Sequence, residues 1–340
     1  MNSQALTHLV GQEFKNWQGK PTDFLSALNS GSGSNRQYFR AISGKESFVA
    51  CVNDDIRENE AFFYLSDYYF NQGLRVPQVF FISKDRRIYF QQDLKDVNLL
   101  QILKKDGFTT DTENYYRQSL QMLWQMQAST KELDFNRCYP RASFDQQSVL
   151  WDLNYFKYYF LKLSGITFDE QLLENDLQYL AALLATPDDK TYFMFRDFQA
   201  RNIQIHKNEV WFIDFQGGRR GPFLYDVASL LYQASANLSK DARESLLNYY
   251  YQQVSSDINY SEDEFRQQYT LMVFIRILQV LGAYGFRGLI EQKEYFKNSI
   301  PSALDNLQAI LPQLPSFVNI PYFLTILDRI TEKRIILTTN

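Results

Sequence analysis

Hydrophobic and polar positions change period along the chain, and the changes divide it in two. Residues 3–17 suit an opening helix. Residues 36–43 (RQYFRAIS) and 47–53 (SFVACVN) read as strands separated by the turn Gly44-Lys45, a hairpin. From about Asp55 to Gln72 the pattern is helical, stopped by Gly73 with Pro77 beyond it. Two further strands are expected at 77–83 and 87–92, joined by Lys84-Asp85-Arg86. Past Asp93 the period turns helical, at 96–105, 112–130, 145–163 and 169–184. The expected class is α+β, with a small β-rich lobe over 1–94 and a large, mainly helical lobe over 95–340.

One island interrupts the helical lobe. Residues 192–216 read YFMFRDFQARNIQIHKNEVWFIDFQ, with Ile203 to His206 and Val210 to Ile213 as short strands around Lys207-Asn208-Glu209. Helices resume near Leu224 and continue to the end, apart from a Pro-marked loop near 312–321. No stretch approaches the ~20 apolar residues that cross a bilayer. The richest, Tyr269 to Gly282, is interrupted by Arg276 and Gln279 and reads as a buried helix. Tyr155, Phe156, Tyr158, Tyr159 and Phe160 fall at helical spacing and read as core in the main.

Composition narrows the function. With 23 Tyr, 28 Phe and 4 Trp in 340 residues, the chain has ample material for a packed core. Its 35 basic and 39 acidic side chains leave a net charge of −4, which gives no reason to expect a nucleic-acid partner. Two cysteines, Cys51 and Cys138, form no disulfide framework, and two histidines leave little for a zinc site. The N-terminus lacks the basic and apolar regions of a signal peptide, so a reducing, cytoplasmic setting is expected, with no membrane partner.

Chemistry concentrates around the island. Asp197 and Asn202 enter its hairpin and Asp214 leaves it, so the three side chains should converge. Asn202 and Asp214 are hard oxygen ligands suited to Mg²⁺, and Asp197 is then free to accept a proton from an attacking hydroxyl. Phe195-Arg196-Asp197-Phe198-Gln199-Ala200-Arg201-Asn202 resembles the protein-kinase pattern H-R-D-x-x-x-x-N, and Ile213-Asp214-Phe215-Gln216 stands where those enzymes carry D-F-G. The longer runs RDFQARN and FIDFQGGRRGPFLYDVASLL are similar to the aminoglycoside/choline phosphotransferase branch of the kinase fold, and within it to bacterial cell-wall sugar kinases. Arg276 to Gly282 also resembles their C-terminal helices.

The resemblance spans about Gln37 to Leu307 and implies a bilobal, protein-kinase-like fold. It implies an ATP- and Mg²⁺-dependent kinase acting on an amino sugar, of the N-acetylmuramic acid or N-acetylglucosamine type, at the anomeric hydroxyl. The same chemistry leaves open an aminoglycoside or another alcohol as acceptor. By that resemblance Asp197 is the catalytic base, Asn202 and Asp214 hold the metal, and Arg196 and Asp226 brace the loop. Gly31, Ser32, Gly33 and Ser34 form a short Gly-rich segment ahead of a strand, as a phosphate-covering loop would. Gln92 and Leu94, at the junction of the lobes, are adenine neighbours, and Ala50 is a further nucleotide contact.

Two departures matter. The kinase strand motif V-A-I-K aligns with Val49-Ala50-Cys51-Val52, so the phosphate-pairing lysine has become Val52. A nucleotide-binding pseudokinase is the reading this favours. Alternatively Arg36 or Arg40 supplies the cation, since arginine pairs phosphates in bidentate fashion, with Glu58 or preferably Glu60 orienting it. Phe195 stands in place of the usual histidine, and Gln199 where many relatives carry one. Gln199, Arg201, Arg219 and Arg220 lie close enough in sequence to meet a substrate.

Overall fold

The computed structural model describes residues 3–28, 36–185 and 192–332. Gly31, Ser32, Gly33 and Ser34 therefore lie outside the described residues. The smaller lobe holds helix α1 (Ser3–Gln18), strands β1 (Phe24–Leu28), β2 (Gln37–Ser43) and β3 (Glu46–Val52), helix α2 (Ile56–Asn71), and strands β4 (Val79–Ile82) and β5 (Ile88–Gln92). The five strands form one antiparallel sheet in the order β1-β2-β3-β5-β4. Strand β1, which the sequence did not announce, adds to the edge by pairing Phe24 with Ile42 and Leu28 with Tyr38.

Alternation along the strands gives the sheet two apolar faces. Phe39, Ala41, Phe48, Ala50, Val52, Ile88 and Phe90 pack beneath α1, against its Leu6, Val10 and Phe14. Cys51 and Tyr89 join the other cluster with Phe62 and Phe63 of α2, and that cluster continues into the larger lobe. Helix α2 starts cleanly because the Asp55 carboxylate accepts from the Arg57 and Glu58 backbone N–H groups.

The larger lobe is helical: α3 (Leu99–Asp106), α4 (Thr110–Ala128), α5 (Gln146–Phe156), α6 (Glu170–Leu184), α7 (Leu224–Leu231), α8 (Lys240–Val254), α9 (Glu262–Tyr284), α10 (Glu294–Lys297), α11 (Ile300–Ile310) and α12 (Pro321–Glu332). Between α6 and α7 lie strands β6 (Phe193–Met194), β7 (Ile203–His206), β8 (Glu209–Phe212) and β9 (Arg219–Arg220). Strands β7 and β8 form the expected hairpin, and β6 pairs with β9. The helix expected over 145–163 widens after Phe156 into a π turn over Lys157–Leu161, and α9 widens likewise over Gly285–Ile290. These two wide turns meet: Tyr155 and Tyr159 pack on Phe286, while Phe156 and Phe160 are fully buried. Helix α9 with its extension is long and apolar enough to cross a membrane, yet 72% of its apolar stretch is buried in the protein.

Candidate active site

Backbone geometry assembles the site before any side chain is considered. The Ile213 N–H donates to the Asn202 carbonyl at 3.1 Å, closing the base of the β7–β8 hairpin. A 3-10 turn over Ala200–Asn202, with the Asn202 N–H on the Gln199 carbonyl at 2.8 Å, returns the chain toward Asp197. Asn202 Nδ2 then lies 2.9 Å from the Asp197 carbonyl and 3.3 Å from Asp214 Oδ2. The three residues separated in sequence thus meet, as their spacing around a hairpin demands. Arg196 and Asp214 hold φ of 83° and 69°, left-handed values that cost a non-glycine residue energy and cluster at functional sites.

Asp226 supports this turn from below. It is fully buried in the first turn of α7, and its carboxylate accepts from the Phe195 N–H at 2.7 Å, the Arg196 N–H at 2.9 Å and Gln127 Nε2 at 3.0 Å. Burial pushes its pKa up to about 7 despite those donors. The Arg196 guanidinium points elsewhere, to Asp152 Oδ2 at 2.7 Å and the Tyr225 hydroxyl at 2.9 Å. Phe195 stands in an aromatic cluster with Phe198, Phe212 and Phe215, and Phe215 stacks in turn on Phe62 of α2 at 5.4 Å. At this position the aromatic ring packs, and Phe195 meets Asp226 through its backbone N–H.

Asp197 accepts from three side chains. Gln199 Nε2 donates to its Oδ1 at 2.7 Å, Arg276 Nη2 to Oδ1 at 2.9 Å, and Arg201 Nη2 lies 3.3 Å from Oδ2. Burial would raise its pKa, but the Arg201 and Arg276 guanidiniums outweigh that and hold it down to about 2. The side chain still keeps 37% of its surface, so it is open to a ligand. Arg276, buried in α9, is the contact that sequence reading missed. The available signal was a lone arginine in an apolar helix, since a buried cation needs a partner.

Arg36, buried at the head of β2, spans the lobes. Its guanidinium donates to Asp214 Oδ1 at 3.1 Å, to Glu58 Oε1 at 3.0 Å and to the Tyr38 hydroxyl at 3.1 Å. Four expectations need correcting here. Glu60 is turned away from Arg36 and pairs with Arg86 Nη2 at 2.7 Å, because the carboxylate two positions earlier on α2, Glu58, faces the cleft. Arg40 is committed to the junction of the lobes, with Nε 2.8 Å from Asp93 Oδ2 and Nη2 2.7 Å from Asp96 Oδ1. Ala50 is sealed beneath α1, so strand alternation points it away from the cleft. Arg219 and Arg220 do not reach Asp197 either: Arg219 folds back on the Gly217 carbonyl at 3.0 Å, and Arg220 lies over the Phe135 ring at 5.1 Å.

At the junction, Gln92 ends β5 and is half-buried, while Leu94 is buried beside Asp93. Desolvation opposes ionisation of Asp93, but Arg40, the Ser47 hydroxyl and the Lys95 N–H bring its pKa to about 2. As a metal site, Asp214 keeps 33% of its side-chain surface, and Asn202 stands beside it with its amide nitrogen 3.3 Å from Asp214 Oδ2, so the Asn202 amide oxygen is the atom that could ligate. Two protein oxygens with room for phosphate and water suit Mg²⁺, which seldom takes an all-protein cage. Among the described residues no group of three His, Cys, Asp or Glu side chains gathers.

A small sheet closed over a helical lobe, with this turn between them, defines a protein-kinase-like phosphotransferase that takes an alcohol as acceptor. Residues 25–262 match the phosphotransferase enzyme family, APH, and the chain belongs to that family. It is 25% identical over 309 residues to the N-acetylmuramate/N-acetylglucosamine kinase of Neisseria meningitidis serogroup B, covering 88% of this chain and 90% of that one. The choline kinase of Cryptosporidium parvum Iowa II superposes with a TM-score of 0.61 at 12% identity, over 96% of this chain and 100% of that one. A thermostable mutant of an aminoglycoside phosphotransferase, solved as a ternary complex with ADP and hygromycin B, superposes with a TM-score of 0.56 at 14% identity, over 89% and 98%.

Proposed function

We propose that the protein is an ATP-dependent kinase that phosphorylates an amino sugar at its anomeric hydroxyl. The observation that carries this is the convergence of Asp197, Asn202 and Asp214 on one strained turn facing the junction of the lobes. The name of the Neisseria meningitidis relative supports the sugar acceptor, and the ADP in the aminoglycoside phosphotransferase complex supports a nucleotide donor.

In this reading the exposed edge of Asp197 receives the acceptor hydroxyl. Arg276 and Gln199 fix one carboxylate oxygen and Arg201 approaches the other, so the carboxylate is ionised and aimed before substrate arrives. A base with so low a pKa removes the proton only as the oxygen–phosphorus bond forms, which suits the loose transition state of phosphoryl transfer. Asp214 and Asn202 would hold Mg²⁺, which supplies charge neutralisation on the transferring phosphates. Arg36, oriented by Glu58, is the cation placed to meet the nucleotide phosphates in the absence of a strand lysine. Gln92 and Leu94 supply the backbone that meets the adenine edge.

Asp197→Asn tests the assignment. Turnover is expected to fall by about 10²–10⁴-fold, the range for a lost general base, while ATP still raises the melting temperature. Sugar-dependent ADP release at the wild-type rate would overturn it.

A further inference from the structure

Two arginines hold Asp197, and they do so on unequal terms. Arg276 is buried in α9, with 6% of its side chain exposed. Its Nη2 donates to Asp197 Oδ1 at 2.9 Å, its Nη1 donates to Gln279 Oε1 at 2.6 Å, and its guanidinium lies over the Tyr225 ring at 5.7 Å. Arg201 comes from the catalytic turn itself and keeps 33% of its side-chain surface. Its Nη2 reaches Asp197 Oδ2 at 3.3 Å, longer than an ordinary N–H···O bond. Its Nε and Nη1 donate to nothing among the described residues. The first arginine is a fixed support, and the second is a loosely held arm.

The place of the arm in the chain decides what it can serve. Arg201 immediately precedes Asn202 in the 3-10 turn over Ala200–Asn202. Burial would lower its pKa, but Asp197, Tyr295 and Asp214 together raise it, so the charge lies in the field of both carboxylates of the site. The proposed transfer runs between those carboxylates. The acceptor O–H gives its proton to Asp197 as its oxygen bonds to the γ-phosphorus, and the bond from that phosphorus to the β-γ bridging oxygen breaks to release ADP. Asp197 thereby changes from an anion to a neutral acid, while negative charge builds on the phosphate oxygens proposed to lie at Asp214. The attraction that holds Arg201 to Asp197 fades at that moment. Arg276 stays, so Asp197 remains aimed when Arg201 lets go.

We propose that Arg201 is a catalytic cation of the transfer, released from Asp197 to neutralise the phosphoryl oxygens in the transition state. This rests on the kinase reading above. A planar guanidinium with idle N–H groups can engage two oxygens of one phosphoryl group, which an ammonium cannot fork. An interaction made only in the transition state lowers the barrier without tightening substrate binding.

Steady-state kinetics of the full chain with Mg-ATP and N-acetylglucosamine, alongside thermal melts with ADP and aluminium fluoride, test this. Arg201→Met should lower kcat about 10²–10³-fold, the loss found when one transition-state donor is removed. The KM values for ATP and for the sugar should each stay within about threefold of wild type. Arg201→Lys keeps the charge and most of the length of the side chain and should regain about tenfold, so the comparison stands even where methionine disturbs the turn. Aluminium fluoride mimics the transferring phosphoryl group. With ADP, Mg²⁺ and sugar it should raise the wild-type melting temperature beyond ADP alone, and Arg201→Met should lose that increment while keeping the shift due to ADP. A kcat within about threefold of wild type, a defect confined to the KM of the sugar, or an undiminished aluminium fluoride increment would overturn the transition-state role and leave the kinase reading intact. Absence of ADP release by the wild-type protein with N-acetylglucosamine, kanamycin and choline alike would overturn the kinase reading and this role with it.

Discussion

Asp226 shows how much one buried carboxylate can be asked to do. It joins the backbone of Phe195 and Arg196 to α4 through Gln127, and burial raises its pKa from 3.8 to about 7. The folded protein therefore favours the protonated form more than the unfolded chain does. The stability contributed by that preference is complete below about pH 4 and is lost as pH rises through about 7. Asp226→Asn cannot titrate, so the wild-type protein should lose stability relative to the variant between pH 4 and pH 8, on the order of 2–4 kcal/mol at about 1.4 kcal/mol per pKa unit. Urea melts of both proteins across that range measure the trend, and a constant difference would refute it. The Asp226 contacts were also readable in outline from the sequence, as was the meeting of Asp197, Asn202 and Asp214. The meeting of the three depends on a short hairpin returning its end to its beginning, whereas the Asp226 brace came from the resemblance alone, since its contacts cross 30 and 31 residues. Arg276 was not readable, because its contact with Asp197 crosses 79 residues and is set only by how α9 packs.

Among the elements, the crossing of α5 and α9 is the tightest. A Cβ placed on Gly285 would lie 1.8 Å from the Tyr159 carbonyl oxygen, and one on Gly282 would lie 2.7 Å from the Phe156 backbone nitrogen. Both contacts are with backbone, which cannot swing aside as a side chain can. Gly285→Ala is therefore expected to destabilise the protein by about 3 kcal/mol, the upper end for overpacking. Gly73 makes the contrast, with a φ of 79° and open space around it. Gly73→Ala should cost only about 1 kcal/mol of backbone strain. Equal losses in urea denaturation would show that crowding at the crossing does not matter. Helical periodicity placed the start of α5 to within a residue and found the apolar middle of α9, but not their wide turns. A π turn arises from the need of two helices to approach, and hydrophobic spacing within either helix carries no record of it. Strand β1 escaped for a related reason: its side chains are mostly half-exposed, so it lacks clear alternation.

For the molecule as a whole, Arg36 is a charged link between the lobes, since it touches α2, β2 and the turn after β8 at once. In the proposed function Asp214 is shared between this arginine and the metal, so nucleotide binding and lobe closure are coupled at one carboxylate. Arg36→Met is expected to raise the KM for ATP more than tenfold while changing the KM for the acceptor much less. Arg36→Lys should recover only part of the loss, because an ammonium lacks the planar fork that engages two carboxylates. Parallel loss of both KM values would instead indicate general disruption of the cleft. The two-lobe plan itself was legible in the change from strand to helical period near residue 93. The identity of the cation was not, because two arginines on one strand face were equivalent until the partners of each were known.

The register of the sheet gives this arginine a wider meaning for how activity is judged from a sequence. Gln37 is paired across the ladder with Val52, so Arg36 projects from the next rung, on the neighbouring strand. Val52 packs beneath α1, on the face of the sheet turned from the cleft, whereas Arg36 lies on the other face with Glu58 and Asp214. Inferring lost activity from a single substituted strand position, such as Val52, is therefore only as sound as a look at the residues hydrogen-bonded beside it.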